Sequence, residues 1–384
     1  MKILAVGGGS GGHVTPVVAV LRELKKRDAS IEVRFWCDRK FAPQARSIMQ
    51  HFDANIPVQT ILSGKLRRYH NLPLWRQLLR PVSIVGPNIR DAFLVFCGFV
   101  QSIGKMQTWK PDVVFTKGGF VCLPVGMAAR VLKIPLVIHD SDAHPGLTNR
   151  ILAKWATKIA TGAPLKFYPY PEAISQYVGI PINEQFVRFS GAERKALKEA
   201  QGFDGKRPLV VVTGGGLGAR RINDAVAKRM DEILDVASLA LISGTGQYDE
   251  LRALTPEGDP RYQLHAFLSD GMAQLLGAAD IVVARAGATT ILELASLAKP
   301  TILIPNGYLT GGHQLKNASV YAEKNAVEVI DEHELDANPQ LLVDTLTSLI
   351  LNPARLHQMG QALHEFAKPD AASRMADLIL AAAE

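Results

Sequence analysis

Cysteine is scarce and unpatterned: the 384 residues hold three, Cys37, Cys97 and Cys122. Their spacing suits neither a zinc site nor a disulfide framework, so they read as reduced thiols of a cytosolic protein. Long apolar runs are missing too. The longest, Ala92–Val100, falls well short of the ~20 residues that cross a bilayer. Met1-Lys2 leads straight into a short apolar stretch, with no signal peptide in the pattern. There is no Walker A lysine and no Gly-x-Ser-x-Gly elbow, which sets aside P-loop and α/β-hydrolase chemistry.

One absence is local. From Ala54 to Arg90 there is no Asp or Glu, while Lys65, Arg67, Arg68, Arg76, Arg80 and Arg90 all fall there. Tyr69, Leu72, Leu74, Trp75, Leu78 and Leu79 are interleaved with them. Basic residues beside exposed Trp and Leu suit an anionic bilayer surface. A nucleic-acid patch, or a plain helix with its leucines in the core, are the alternatives. The net charge of +7 also favours an anionic partner. With 47% hydrophobic and 21% charged residues the chain is an ordinary soluble one, long enough for two or three domains.

What is abundant is glycine, and its placement is informative. Residues 7–16 read Gly-Gly-Gly-Ser-Gly-Gly-His-Val-Thr-Pro after the apolar run Ile3–Val6. Glycines between a strand and a helix let bare N–H groups meet phosphate oxygens, and the helix N-terminus adds partial positive charge. Val17, Val18, Val20, Leu21 and Leu24 make the apolar stripe of the helix that follows. Gly7, Gly9 and Gly12 fit the dinucleotide fingerprint, and Asp38 is near the distance for a nicotinamide cofactor's ribose. His13 departs from that fingerprint. It could move a proton near neutral pH or simply cap the helix.

Strand-like runs alternate with helical patterns, which predicts a parallel α/β protein. The expected strands are Lys2–Val6, Glu32–Cys37, Val113–Thr116, Leu136–His139, Leu209–Thr213, Ala240–Ser243, Ile281–Ala284 and Thr301–Pro305. The strand–glycine loop–helix unit recurs at Leu209–Ile222, where Gly214, Gly216 and Ala219 fit the Gly-x-Gly-x-x-Ala variant. Two Rossmann-like halves are therefore expected, with a proline-rich linker around Thr161–Arg207.

Further candidates follow strands. Lys117-Gly118-Gly119-Phe120 could face an anion. His139-Asp140-Ser141-Asp142-Ala143-His144 could supply a base or bind a divalent metal, or be turn chemistry before Pro145-Gly146. Arg285-Ala286-Gly287-Ala288-Thr289-Thr290 opens a helix whose first turn should hold Glu293. That carboxylate could accept both ribose hydroxyls, or close a capping box with Thr290. His313 and Gln314, after a glycine-rich loop, suit a sugar or a simple surface loop.

In series these segments resemble the MurG family, over nearly the whole chain. The carriers are Gly8-Gly9-Ser10-Gly11-Gly12-His13-Val14-x-Pro16, Lys110-Pro111-Asp112-Val113-Val114, Gly118-Gly119, Gly146-Leu147-Thr148-Asn149, Gly214-Gly215 with Gly218-Ala219-Arg220, Arg285-x-Gly287-Ala288, Glu293, and Gln314 with Asn317-Ala318. The resemblance implies a GT-B fold: two doubly wound Rossmann-like domains across a cleft, with the final helix crossing back to the first. It implies residues 1–163 plus 367–384 as the acceptor and membrane-docking domain, and 164–366 as the UDP-sugar domain. It also implies transfer of N-acetylglucosamine from UDP-N-acetylglucosamine to undecaprenyl-diphosphate-linked muramyl pentapeptide in peptidoglycan synthesis. The place would be the cytoplasmic face of the cell membrane, peripherally, with Lys65, Arg67, Arg68, Trp75, Arg76 and Arg80 docking on anionic lipid and no nucleic acid involved. A different lipid acceptor, a non-catalytic sugar-nucleotide scaffold and a nicotinamide-dependent oxidoreductase are the competing readings.

The same resemblance assigns roles. Donor contacts would come from Gly215, Gly216, Leu217, Ala219, Phe267, Leu268, Arg285, Ala288, Thr289, Glu293, His313 and Gln314. Ser10, Gly11, Gly12, Gly118, Gly119 and Asn149 would cradle the acceptor diphosphate. His13 is the first choice for the base and Asp142 the second. No metal or cofactor is implied if helix dipoles neutralise the leaving group. The chain departs from the family at Asp142, usually asparagine, at Ser141, usually glutamine, and at Phe120, usually tyrosine. Gly216-Leu217 replaces Ser-Gln, and Ile180-Pro181-Ile182-Asn183 replaces Asn-Pro-Val-Arg, removing an arginine expected near diphosphate. Arg188 or Arg285 could take its place.

Overall fold

The computed structural model describes residues 1–8, 11–65, 85–215, 218–254, 258–268, 271–307 and 312–384, and the backbone alone at 11–13. Gly9, Ser10, the His13 side chain, Arg67, Arg68, Trp75, Arg76, Arg80, Gly216 and Leu217 thus lie outside the described residues. The chain forms two compact units, Met1–Asn183 with Lys368–Glu384, and Glu184–Ala367.

The first unit holds β1 (Lys2–Val6), β2 (Glu32–Cys37), β3 (Val58–Thr60), β4 (Val113–Thr116), β5 (Leu136–Asp140), β6 (Lys158–Thr161) and β7 (Ser175–Tyr177). They form one parallel sheet in the order β3-β2-β1-β4-β5-β6-β7. β1 explains why: all of Ile3, Leu4, Ala5 and Val6 are fully buried. Strand alternation sends Ile3 and Ala5 to one core, with Val17, Leu21 and Leu24 of helix Gly11–Arg27. It sends Leu4 and Val6 to the other, with Val95, Met106 and Val125. A strand covered on both faces needs an uninterrupted apolar run.

The last helix, Ala371–Ala383, belongs to this unit. Its Ala371, Met375, Ala376, Ile379 and Ala382 join the first core as one helical stripe. Arg27 clamps it, with Nη1 2.5 Å from Asp377 Oδ1 and Nη2 donating to Ser373 Oγ at 2.7 Å. The expected boundary at residue 163 moves to Asn183 because the proline-rich segment carries β7, which extends the first sheet.

The second unit holds β8 (Leu209–Thr213), β9 (Ser238–Ile242), β10 (Tyr262–His265), β11 (Ile281–Ala284), β12 (Thr301–Leu303) and β13 (Glu328–Val329). The parallel order is β10-β9-β8-β11-β12-β13. In each sheet the order reverses direction beside its first strand, between β1 and β4 and between β8 and β11. Loops leaving the carboxyl ends of such strands splay apart, and ligands of doubly wound sheets bind there.

Candidate active site

At the first reversal the glycines are packing requirements as well as open backbone. A Cβ on Gly8 would lie 2.5 Å from Asp38 Oδ2 and 3.1 Å from Val121 Cγ1. Gly118 and Gly119 follow β4 with φ of +90° and +92°, which side chains avoid. Buried Asn149 stands against Gly118, its Nδ2 donating to the His139 carbonyl at 3.2 Å. Gly8, Gly118, Gly119 and Asn149 therefore lie together at the carboxyl ends of β1, β4 and β5. Gly11 and Gly12 begin the helix Gly11–Arg27, so its opening N–H groups point to the same end of the sheet. Asp38 is 4% exposed and its Oδ1 accepts the Phe41 N–H at 3.0 Å. That bond gives Asp38 a role in its own turn, at the end of β2 beside the Gly8 loop.

Next to this cradle lies a charged cluster at the end of β5. Asp140 is buried, and the Tyr170 hydroxyl donates to its Oδ2 at 2.7 Å. Burial pushes the Asp140 carboxyl up to about 7, against the hydrogen bond from Tyr170. Lys117, buried just after β4, donates from Nζ to Ser141 Oγ. Burial lowers its ammonium to about 8, and the charges of Asp142 and Asp140 oppose that fall. Tyr168, stacked on Tyr170 at 5.6 Å, donates its hydroxyl to the Asp142 carbonyl at 2.7 Å. Lys117 and Tyr170 are functional candidates that sequence reasoning missed. Lys117 was visible only as a neighbour of two glycines, and Tyr170 sat in a segment read as linker. Among the described residues no group of three or more His, Cys, Asp or Glu could hold a metal ion.

At the second reversal, Gly215 and Gly218 have φ of +77° and +75°, and a Cβ on Gly218 would run into the Ser243 carbonyl. The helix Arg220–Lys228 starts from Ala219 with no side-chain cap, so its first N–H groups are left for another acceptor. Helix Ala288–Ser296 likewise starts from Gly287 uncapped. Thr290 is inside that helix, so the capping box with Glu293 does not form, and Glu293 lies in the second turn rather than the first. Ala288 and Thr289 occupy the first turn.

The half-buried Glu293 carboxylate has no hydrogen bond or ion pair to any described residue. Desolvation raises it to about 8. A carboxyl in that setting keeps its proton more readily than one in water. The other candidates have partners or differ in exposure. Gln314 Oε1 accepts the Asn306 N–H at 2.8 Å, and His313 is the first residue of its helix, His313–Ala322. Asn317 on that helix donates to the Ala286 carbonyl at 3.1 Å, bracing the turn before Gly287. Phe267 is exposed and Leu268 half-buried just past β10.

Arg285 is not available to replace the missing arginine. Its Nη1 donates to the Ile304 carbonyl at 3.0 Å and its Nη2 pairs with buried Glu332. Glu332 also forms an ion pair with Arg221 at 3.2 Å, a contact that sequence reasoning missed. Arg188 lines a 560 Å³ cavity with Pro208, Asp280 and Pro300. Those residues stand at the amino ends of β8, β11 and β12, the opposite edge from Glu293.

Two doubly wound units with glycine loops at both reversals define the class: nucleotide-sugar enzymes of the GT-B type. Crystal structures agree on that fold. MurG of Acinetobacter baumannii matches with a TM-score of 0.74 at 24% identity, over 99% of both chains. The UDP-GlcNAc 2-epimerase of Neisseria meningitidis, bound to UDP-GlcNAc, matches with a TM-score of 0.68 at 13% identity, over 99% of this chain and 100% of that one. Residues 3–161 match the glycosyltransferase family 28 N-terminal domain, and residues 209–375 its C-terminal domain. Two relatives are named UDP-N-acetylglucosamine–N-acetylmuramyl-(pentapeptide) pyrophosphoryl-undecaprenol N-acetylglucosamine transferase. That of Lachnospira eligens is 35% identical over 88% of this chain and 89% of its own. That of Clostridium kluyveri is 33% identical over 98% of each. The chain belongs to glycosyltransferase family 28 and, within it, to the MurG family.

Proposed function

We propose that this chain transfers N-acetylglucosamine from UDP-N-acetylglucosamine to lipid-linked muramyl pentapeptide in peptidoglycan synthesis, with inversion at the anomeric carbon. The observation that carries the reading is the full-length similarity to relatives named for that transfer. The unpartnered Glu293 supports a ribose in the second unit, where Gly215 and the uncapped helix after Ala219 would receive the diphosphate. Gly118, Gly119, Asn149 and the opening of helix Gly11–Arg27 would hold the acceptor diphosphate.

The acceptor hydroxyl attacks the anomeric carbon as the bond to UDP breaks. A base takes the hydroxyl proton, and backbone N–H groups stabilise the charge growing on the leaving phosphate. His13 is the first candidate base. Asp142 is the second, beside the buried Lys117.

Membrane docking gains a second element. On helix Gly86–Trp109, Ile89, Phe93, Phe96 and Val100 are 53–66% exposed. Their spacing of four, three and four puts them on one face. Exposed Leu62 lies beside this helix, its N–H donating to Gln101 Oε1 at 3.0 Å, and Lys65 is exposed three residues on. Four large apolar side chains in a row on a surface helix suit a lipid interface, with the basic residues 65–80 meeting anionic headgroups. No described helix is long and apolar enough to cross a membrane, so the docking is peripheral in this reading.

The test is UDP release from UDP-N-acetylglucosamine with and without lipid-linked muramyl pentapeptide, in wild type, His13→Ala and Asp142→Ala. Acceptor-dependent release lost in His13→Ala supports the reading with His13 as base, and loss only in Asp142→Ala moves the base. Tight UDP-sugar binding with no acceptor-dependent release overturns the acceptor assignment.

A further inference from the structure

We propose that Lys117 is a positioning residue for the acceptor-side chemistry: its buried ammonium is the counter-charge for Asp140 and Asp142 and the tether of the loop that carries Asp142. The proposal rests on the transferase reading above. It starts from an expensive arrangement. Lys117 is 2% exposed, among the largest fully enclosed side chains of the protein. Burying an ammonium costs several kcal/mol unless charges and hydrogen bonds compensate it. A methionine would fill such a space without that cost.

The compensation comes from one loop. Lys117 Nζ donates to Ser141 Oγ, and Ser141 lies between Asp140 and Asp142 in the chain. Both carboxylates favour the charged lysine, Asp142 more than Asp140. The interaction is mutual at Asp140, where the charged lysine favours the ionised carboxylate.

Each neighbouring element adds little further charge. Cys122, from helix Cys122–Val131, has its thiol pushed up to about 12 by burial and is neutral. Tyr170 faces Asp140 as a hydroxyl donor, its own ionisation pushed up by burial. Arg150, on helix Leu147–Leu152, acts on Tyr170. Lys117 is therefore the enclosed cation beside Asp140 and Asp142, and Arg150 reaches the cluster through Tyr170. Without Lys117, Asp140 and Asp142 would repel each other, and the loop would lose its anchor to β4.

The experiment compares wild type, Lys117→Met, Lys117→Arg and Ser141→Ala. Lys117→Met should lower kcat at pH 7 by at least about tenfold and move the acid limb of the kcat profile up by about one pH unit. Lys117→Arg keeps the charge and should return that limb toward wild type. Ser141→Ala loses the tether alone and should lower kcat without moving the limb. The carboxyl resonances of ¹³C-aspartate-labelled protein, titrated in wild type and Lys117→Met, read the same charge without turnover. A higher midpoint for Asp140 supports the proposal. An unchanged midpoint, or a Lys117→Arg variant indistinguishable from Lys117→Met, overturns it. A wild type that binds UDP-sugar but transfers nothing overturns the transferase reading instead, and the resonances still decide the role of Lys117.

Discussion

Gly119 turns its α-carbon onto the carbonyl of Gly8, so that a Cβ there would lie 2.8 Å from that oxygen. Two glycine loops separated by more than a hundred residues thus lock together at the end of β1 and β4. The φ of +92° at Gly119 adds a second reason for glycine. Gly119→Ala should cost about 1–2 kcal/mol from the backbone alone and more from the contact. Urea unfolding should show that loss, and acceptor KM should rise while UDP-sugar affinity holds.

If Glu293 receives the donor ribose, as proposed above, donor binding should depend on pH. Its carboxyl is raised from 4.5 to about 8, so the free protein holds a proton there at pH 7. By linkage, its contribution to stability falls as pH rises from 4.5 toward 8, because the folded state binds the extra proton. Ribose hydroxyls donating to the carboxylate favour the ionised form and expel that proton. UDP-sugar affinity should rise by up to about tenfold per pH unit below 8 and level off above it. Calorimetry in buffers of different ionisation enthalpy should register the proton released. Glu293→Gln should bind more weakly and without this pH dependence; a buffer-independent enthalpy for wild type would sink the idea.

Glu332 holds two arginines from separate segments, Arg285 in the turn after β11 and Arg221 in the first turn of helix Arg220–Lys228. Glu332→Ala leaves the enclosed Arg285 with only the Ile304 carbonyl, while the partly exposed Arg221 keeps Asp336 at 3.7 Å. Unfolding free energy should drop by about 3–5 kcal/mol. Adding Arg285→Met to Glu332→Ala should cost less than the sum of the single changes. Strict additivity would argue against the pairing.

The exposed face of helix Gly86–Trp109 can be tested without touching the fold. Phe93→Glu with Phe96→Glu should change stability by no more than about 1 kcal/mol, since both rings are mostly in solvent. Sedimentation with phosphatidylglycerol vesicles should fall sharply. Undiminished vesicle binding would assign docking to another surface.

The central strands were legible in the sequence because burial on both faces demands continuous apolar runs, as in β1, β4 and β8. The glycine loops were legible for a similar local reason: close backbone approach tolerates no side chain. Edge strands were not. β3 reads Val-Gln-Thr and β7 Ser-Gln-Tyr, short and only half-buried, so neither leaves a periodic signal. β7 lies among prolines that look like a linker, so the sequence pattern places the boundary before it and the sheet places it after. The capping-box alternative for Glu293 failed because the helix begins at Ala288, a choice made by the turn and not by Thr290.

By itself, then, the sequence determined the alternation of strand and helix, the two glycine-lined reversals and the family. Tertiary structure alone decided the partners: Asp140 with Tyr170 thirty residues on, Lys117 with Ser141, and Arg285 with Glu332 forty-seven residues on. The reason is physical. Periodicity reports which face a residue presents, but a charge is matched only when strand order brings another segment beside it, and that order is a property of the whole sheet.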